Sequence, residues 1–173
     1  GGYNAMYDWG GFLFFALLRG FAVVALRSAS RAGIQPGSLI TPNQRRQATE
    51  DAAWKIERTV EILRQNLDTG KLDSGPEIYS RYYIGYLFEM GKAISRHHRV
   101  EFSQRLRRPI LLEVGQLFGR HRDAQEGERH LAAVLGSDPG QLGAADGRID
   151  GDYAVDPNNP GPYFARIGAY FES

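Results

Sequence analysis

The chain has no cysteine among its 173 residues, which excludes disulfide bonds, thiolate catalysis, zinc–thiolate sites and iron–sulfur clusters. It also lacks the short motifs of common hydrolases and nucleotide-binding proteins, since no G-x-S-x-G, Walker or G-x-G-x-x-G sequence occurs. The net charge of +1 does not indicate a polyanionic partner for the whole molecule. From these absences we predict no enzyme, no metal site and no cofactor, although a bound lipid is compatible with the strongly apolar residues 10–26.

Long apolar runs are rare in this chain, and the one that stands out covers residues 10–26. Ten of its seventeen residues are Phe, Leu or Val, and its single charge is Arg19. As a helix it spans about 26 Å, close to the roughly 30 Å of a bilayer core. The apolar residues favour insertion by roughly 3–6 kcal/mol, and a central Arg opposes it by about 2.5–3.5 kcal/mol. Because apolar residues lie on every side, the segment predicts a membrane-embedded helix or one buried among other helices.

The residues around Arg19 favour contact with a partner over a lone anchor in lipid. An Arg within a membrane normally faces protein, water or an anionic headgroup. Ala16 and Gly20 lie beside it at a spacing that lets another helix approach closely. Asp8 precedes the segment and Arg27 follows it, which predicts the bulk of the chain on the cytoplasmic or matrix side of a bacterial or organellar inner membrane.

The rest of the chain predicts a mainly α-helical protein. We divide it into an N-terminal apolar segment (1–31), a linker (32–40), a helical domain (41–136) and an extended acidic tail with a terminal aromatic segment (137–173). The clearest helix follows Thr41, an N-cap residue with Pro42 in the first helical position, and has Gly70 past its end. Further helices are predicted over 74–94, 100–108, 109–119 and 123–135, with a break or kink at Pro109.

Tyrosines cluster on the helix predicted over 74–94, and Tyr82 and Tyr86 lie on its broad apolar face. A core helix whose hydroxyl groups reach water at one edge accounts for this pattern. Tyrosine is also enriched at protein interfaces, so we name both as candidate partner contacts.

Basic residues concentrate between 92 and 108, around a turn containing His97 and His98 that we expect to be solvated. Such a cluster binds phosphate, either on lipid headgroups or on nucleic acid, and the former fits a membrane protein better. The candidate contact residues are Arg96, Arg99, Arg105, Arg107 and Arg108.

Glycine and proline are frequent after Ser137 and no apolar period persists, so we predict an irregular tail. Asp146, Asp150, Asp152 and Asp156 would form a solvated acidic loop, since the calcium-loop pattern is missing. Glu126 and His130 lie four residues apart, where a surface hydrogen bond is the expected outcome.

The sequence leads to a main hypothesis with two alternatives. The main one is a non-enzymatic accessory or structural subunit of a larger membrane complex, with an energy-transducing membrane (respiratory, ATP synthase or photosynthetic) as one setting. The first alternative is a soluble helical bundle that binds nucleic acid or another polyanion through residues 96–108. The second is an enzyme that acts through Asp150 and Asp152.

Overall fold

The computed structural model describes residues 40–173, and the apolar segment with Arg19, Ala16 and Gly20 lies outside these residues. Within the described part the chain is helical and contains no strand, which confirms the mainly α prediction. The helices are α1 Pro42–Asn66, α2 Thr69–Ser74, α3 Glu77–His97, α4 Gln104–Phe118, α5 Ala124–Gly136, α6 Asp138–Val155 and α7 Ala165–Glu172. Between residues 40 and 173, no helix has both the length and the apolar character needed to cross a bilayer.

Helix α1 begins where the capping signals place it. The Thr41 side chain accepts a hydrogen bond from the Gln44 N–H at 3.2 Å, and the Gln44 side chain accepts one from the Thr41 N–H at 2.9 Å. The helix ends at Asn66, before the predicted stop at Gly70. The reason is Asp68, whose carboxylate caps the short helix α2 by accepting hydrogen bonds from the Gly70 and Lys71 N–H groups.

Helix α3 forms the centre of the domain and is contacted by every other helix between residues 40 and 173. Its apolar side chains are buried on several sides, so the core forms around it rather than along one face. The largest fully buried side chains of α3 are Tyr82, Tyr83, Tyr86, Ile84, Leu87, Met90 and Ile94.

Pro109 neither breaks the chain into two helices nor starts a new one, so the predicted boundary at this residue is wrong. It lies inside the continuous helix α4 with its ring buried. A proline removes one backbone hydrogen bond, and here burial of the ring offsets part of that loss. Helix α5 follows the prediction closely, because Asp123 caps its start and accepts a hydrogen bond from the Glu126 N–H at 2.8 Å.

The prediction of an irregular tail after residue 137 is wrong. Helix α6 occupies Asp138–Val155, capped by the Ser137 side chain and with a proline in its first turn. Helix α7 follows at Ala165–Glu172. The glycines that suggested a loop are instead contact residues of a helix, because they lie at the surface where α6 meets α3.

Four glycines form the inner face of α6, at positions 140, 143, 147 and 151. A Cβ atom at Gly143 would fall on the Tyr82 carbonyl oxygen, and one at Gly147 would fall on that of Tyr86. From the other side, a Cβ at Gly85 of α3 would fall on the Gly140 carbonyl oxygen. The two helices therefore meet through backbone atoms, which only glycine permits.

Helix α7 covers the N-terminal part of α3. The Tyr170 ring stacks on Tyr82 with centroids 3.7 Å apart and an angle of 4° between the planes. The Lys71 ammonium donates to the Phe171 carbonyl at 2.6 Å. The terminal aromatic segment thus docks on its own chain as a short helix.

Candidate functional site

The close contact between α3 and α6 brings two tyrosines opposite two carboxylates. Tyr82 and Tyr86 are one turn apart on α3, and Asp146 and Asp150 are one turn apart on α6. The Tyr82 hydroxyl donates to Asp146 at 2.6 Å, and the Tyr86 hydroxyl donates to Asp150 at 2.7 Å. Because the two tyrosines and the two carboxylates are each spaced four residues apart, the packing that forms one hydrogen bond also forms the other.

Asp150 is the most enclosed acid of this group, with only 2% of its surface exposed. Besides the Tyr86 hydroxyl it accepts hydrogen bonds from the Arg166 backbone N–H at 3.1 Å and from the Arg166 guanidinium at 2.6 Å. An ionised carboxylate can be buried when such donors and a paired cation replace water. The expectation that Asp150 lies in a solvated acidic loop is therefore wrong.

The tyrosine hydroxyls remain protonated donors in this setting. Burial raises the pKa of Tyr86 well above its usual value, and the charge and hydrogen bond of Asp150 raise it further. The pKa of Tyr82 is raised by the same two causes, with Asp146 as the carboxylate. Both tyrosines consequently stay neutral and donate their hydroxyl protons over the physiological range.

A second network lies between α3, α4 and α1. Glu113 accepts hydrogen bonds from the Tyr83 hydroxyl at 2.8 Å and from the Arg64 guanidinium at 2.7 Å. Arg64 also contacts Asp73 at 2.5 Å. Burial and Glu113 raise the pKa of Tyr83 well above its usual value. Burial opposes the charge of Arg64, yet the hydrogen bonds to Asp73 and Glu113 raise its pKa overall.

The two networks bind helices of the domain together. The buried carboxylates Asp150 and Glu113 each accept hydrogen bonds from a tyrosine and from an arginine of the same domain. The described residues contain no group of three imidazole or carboxylate side chains placed to hold a metal ion. Chemically, the arrangement fixes the register of α1, α4, α6 and α7 on α3.

Tyr82 and Tyr86 were candidate partner contacts, and the structure instead buries both completely inside the chain. They have no surface to offer a partner, because α6 and Tyr170 already cover them. The 64-residue separation between each tyrosine and its carboxylate left no local signal in the sequence.

The basic residues between 92 and 108 do not form one free surface. Arg96 pairs with Asp152 at 3.1 Å, Arg105 with Glu50 at 2.8 Å and Arg107 with Glu128 at 3.0 Å. Arg99, which has a φ of 56°, and Arg108 are both exposed. Three of the five candidate arginines thus contact acids of the same domain.

The histidines of the basic turn differ in environment. His97 is exposed, as expected, whereas His98 is partly buried and its Nε2 atom has no hydrogen-bond partner. Burial lowers the pKa of His98 to about 4, helped by the nearby Lys55 ammonium and by His97.

Glu126 accepts a hydrogen bond from the Arg122 N–H, while His130 packs its ring against Phe118 and His121.

A shallow cavity of about 430 Å³ lies at the start of α1, next to the linker. The cavity is lined by the exposed Arg45 and Arg46, and further by Ile40, Pro42, Thr49 and Glu50. These two arginines were not among the residues predicted from the sequence, although their position directly after the linker was a usable signal.

Comparison with protein-family models, curated proteins and solved structures finds no match to this chain.

Proposed function

We propose that this protein is a non-enzymatic subunit of a larger membrane-associated assembly, with residues 40–173 as its extramembrane helical domain. The observation that carries the proposal is the sequence of residues 10–26, because a helix that is apolar on every side must be covered by lipid or by other chains. Other subunits of the assembly and anionic lipid headgroups are its proposed partners. A bacterial or organellar inner membrane is the proposed location.

Two features of the helical domain support this proposal. The buried carboxylates Asp150 and Glu113 are engaged by tyrosines and arginines of the domain itself, which fits a structural role. Arg45 and Arg46 lie exposed on the first turns of α1, immediately after the linker. Basic residues next to a membrane segment are attracted to anionic headgroups by about 1 kcal/mol each.

Binding of nucleic acid through residues 96–108 is the weaker alternative. Arg96, Arg105 and Arg107 have acidic partners, so binding phosphate there must compete with existing ion pairs. Affinity for a polyanion grows with the number of cations that contact phosphates. Arg99 and Arg108 add only two such cations.

Carbonate extraction of native membranes tests the proposal. The full-length chain is expected in the carbonate-resistant membrane fraction. The double variant Phe14→Glu with Val23→Glu is expected in the supernatant, because each charge within the apolar segment costs a few kcal/mol of insertion. The matched control, Asn43→Glu with Gln116→Glu at exposed positions, adds the same charge and should stay with the membrane. Release of the unmodified chain by carbonate would refute membrane embedding.

A further inference from the structure

Helix α6 has the reverse of the usual amphipathic arrangement. Its inner face is formed by four glycines with Asp150 and Ala154, and its exposed large apolar side chains point outward. Leu142 is 48% exposed, Ile149 is 51% exposed and Tyr153 is 40% exposed. A surface helix of a monomer normally buries such residues and exposes polar ones. The outward position of these side chains indicates a contact outside this domain.

The exposed residues form a single line along the helix, which we call the outer α6 stripe: Leu142, Ala145, Ile149 and Tyr153. Their spacing of three, four and four residues follows the helical period. The stripe is about 16 Å long at 1.5 Å per residue. This length and spacing match the way an amphipathic helix docks against another helix.

The charges beside the stripe show what kind of helix fits. Asp152 is also exposed on this side of the helix and pairs with Arg96. The other charges are Asp138 at one end, Arg148 near the middle and Asp156 at the other end, and all three are exposed. Between residues 40 and 173 none of the three takes part in an ion pair. The spacing along the helix is about 15 Å from Asp138 to Arg148 and about 12 Å from Arg148 to Asp156. The order is therefore acidic, basic, acidic.

This charge order disfavours a second copy of the same chain. An antiparallel pair of α6 helices whose stripes overlap along their whole length would place Asp138 against the other copy's Asp156 and the two Arg148 side chains together. A parallel pair with the same full overlap would place each of the three residues against its own counterpart. Like charges would meet at every position in both cases, which opposes association.

We propose that the outer α6 stripe binds an amphipathic helix of a different protein, with basic residues near both ends and an acidic residue near the middle. This inference deepens the proposed function and rests on it, since it names the surface through which the subunit contacts its assembly. Apolar contact supplies the main binding free energy, and the three charges set register and direction.

Photocrosslinking of the full-length chain in its native cells tests the inference. A benzophenone amino acid replaces Ile149, and the matched control replaces Leu112, a 64% exposed residue of α4. We expect the residue at position 149 to crosslink to one other protein, and we expect no crosslink to that protein from position 112. Peptide sequencing by mass spectrometry should place the crosslink on a helix with the basic, acidic, basic order. Leu142→Glu should lower the adduct yield about tenfold, whereas Leu112→Glu should leave it unchanged.

Charge exchange tests the register. Asp138→Lys with Asp156→Lys should lower the adduct yield a few-fold, and acidic residues at the matching positions of the partner helix should restore it. An adduct to a second copy, to residues 1–39 of the same chain or to lipid would overturn the inference, as would equal yields from positions 149 and 112. If the adduct is absent while carbonate still fails to extract the chain, only this inference fails. If carbonate extracts the chain while the adduct forms, the membrane proposal fails.

Discussion

Replacing Gly143 by alanine is the sharpest test of the α3–α6 contact. Alanine is the better helix former, by about 1 kcal/mol, so propensity alone predicts that Gly143→Ala stabilises α6. Packing predicts the opposite. The new Cβ would fall on the Tyr82 carbonyl oxygen and lie 3.0 Å from the Tyr82 Cα, both of which are backbone atoms that cannot rotate away.

The size of the effect follows from the displacement that the extra carbon requires. The helices must separate by roughly 1 Å, and overpacking of this kind costs about 1–3 kcal/mol, occasionally more. Separation also lengthens the hydrogen bonds from Tyr82 to Asp146 and from Tyr86 to Asp150. A hydrogen bond to a charged group contributes about 1.5–3 kcal/mol. After the propensity gain we expect a net loss of about 2–4 kcal/mol in the free energy of unfolding.

Urea unfolding of the full-length chain, followed by far-UV circular dichroism, measures this loss. The corresponding decrease in Tm is roughly 4–16 °C for a chain of this size. The matched control is Gly136→Ala at the end of α5, where a new Cβ has no neighbour within 4 Å. That variant should be as stable as the original or more stable by up to about 1 kcal/mol.

An intermediate variant keeps the test informative if Gly143→Ala fails to fold. A Cβ at Gly151 meets the Ala93 side chain at 2.9 Å, so Gly151→Ala should lose less stability than Gly143→Ala. The expected order of stability is Gly136→Ala, then Gly151→Ala, then Gly143→Ala. Equal stability of the Gly143 and Gly136 variants would show that α6 does not meet α3 through backbone atoms.

Three further predictions concern single side chains. Asp150→Asn should lower the free energy of unfolding by about 1–3 kcal/mol, measured in urea, because the Arg166 guanidinium loses its charged partner. Tyr83→Phe should cost about 1–2 kcal/mol in the same assay by removing a buried donor to Glu113, whereas Tyr153→Phe, at an exposed hydroxyl, should cost less than about 0.5 kcal/mol. Stability should also fall below pH 6.5, because the unfolded chain binds a proton at His98 more readily than the folded chain, whose pKa there is about 4. Between pH 7 and pH 5 the free energy of unfolding should fall by about 1 kcal/mol more in the original chain than in His98→Gln, after discounting for the partial exposure of His98. An equal fall in both chains would contradict the role assigned to His98.

Local signals predicted α1 and α5 well. Thr41 with Pro42, and Asp123 before an apolar period, determine helix starts through hydrogen bonds within four residues. Such interactions depend only on neighbouring residues, so the sequence contains them in full. The end of α1 was placed too late, although Asp68 is an equally local cap that marks the start of a new helix.

Helix α6 was missed because glycine and proline were interpreted by their frequency and not by their spacing. Glycines at 140, 143, 147 and 151 recur with the period of a helix, and the same spacing places Asp146 and Asp150 one turn apart. That period was the available signal for a helix with a glycine face. The hydrogen-bond partners of Asp146 and Asp150 could not be predicted from the sequence, because contacts between residues 64 positions apart depend on how the helices pack.

The backbone contact between α3 and α6 also constrains how this part of the gene can change. Inserting one codon between residues 143 and 147 would turn all later residues of the helix by about 100° around its axis. Gly147 and Gly151 would leave the contact surface, and bulkier neighbours would take their places. Homologous sequences should therefore keep the length of this helix unchanged and keep glycine at the positions that meet α3.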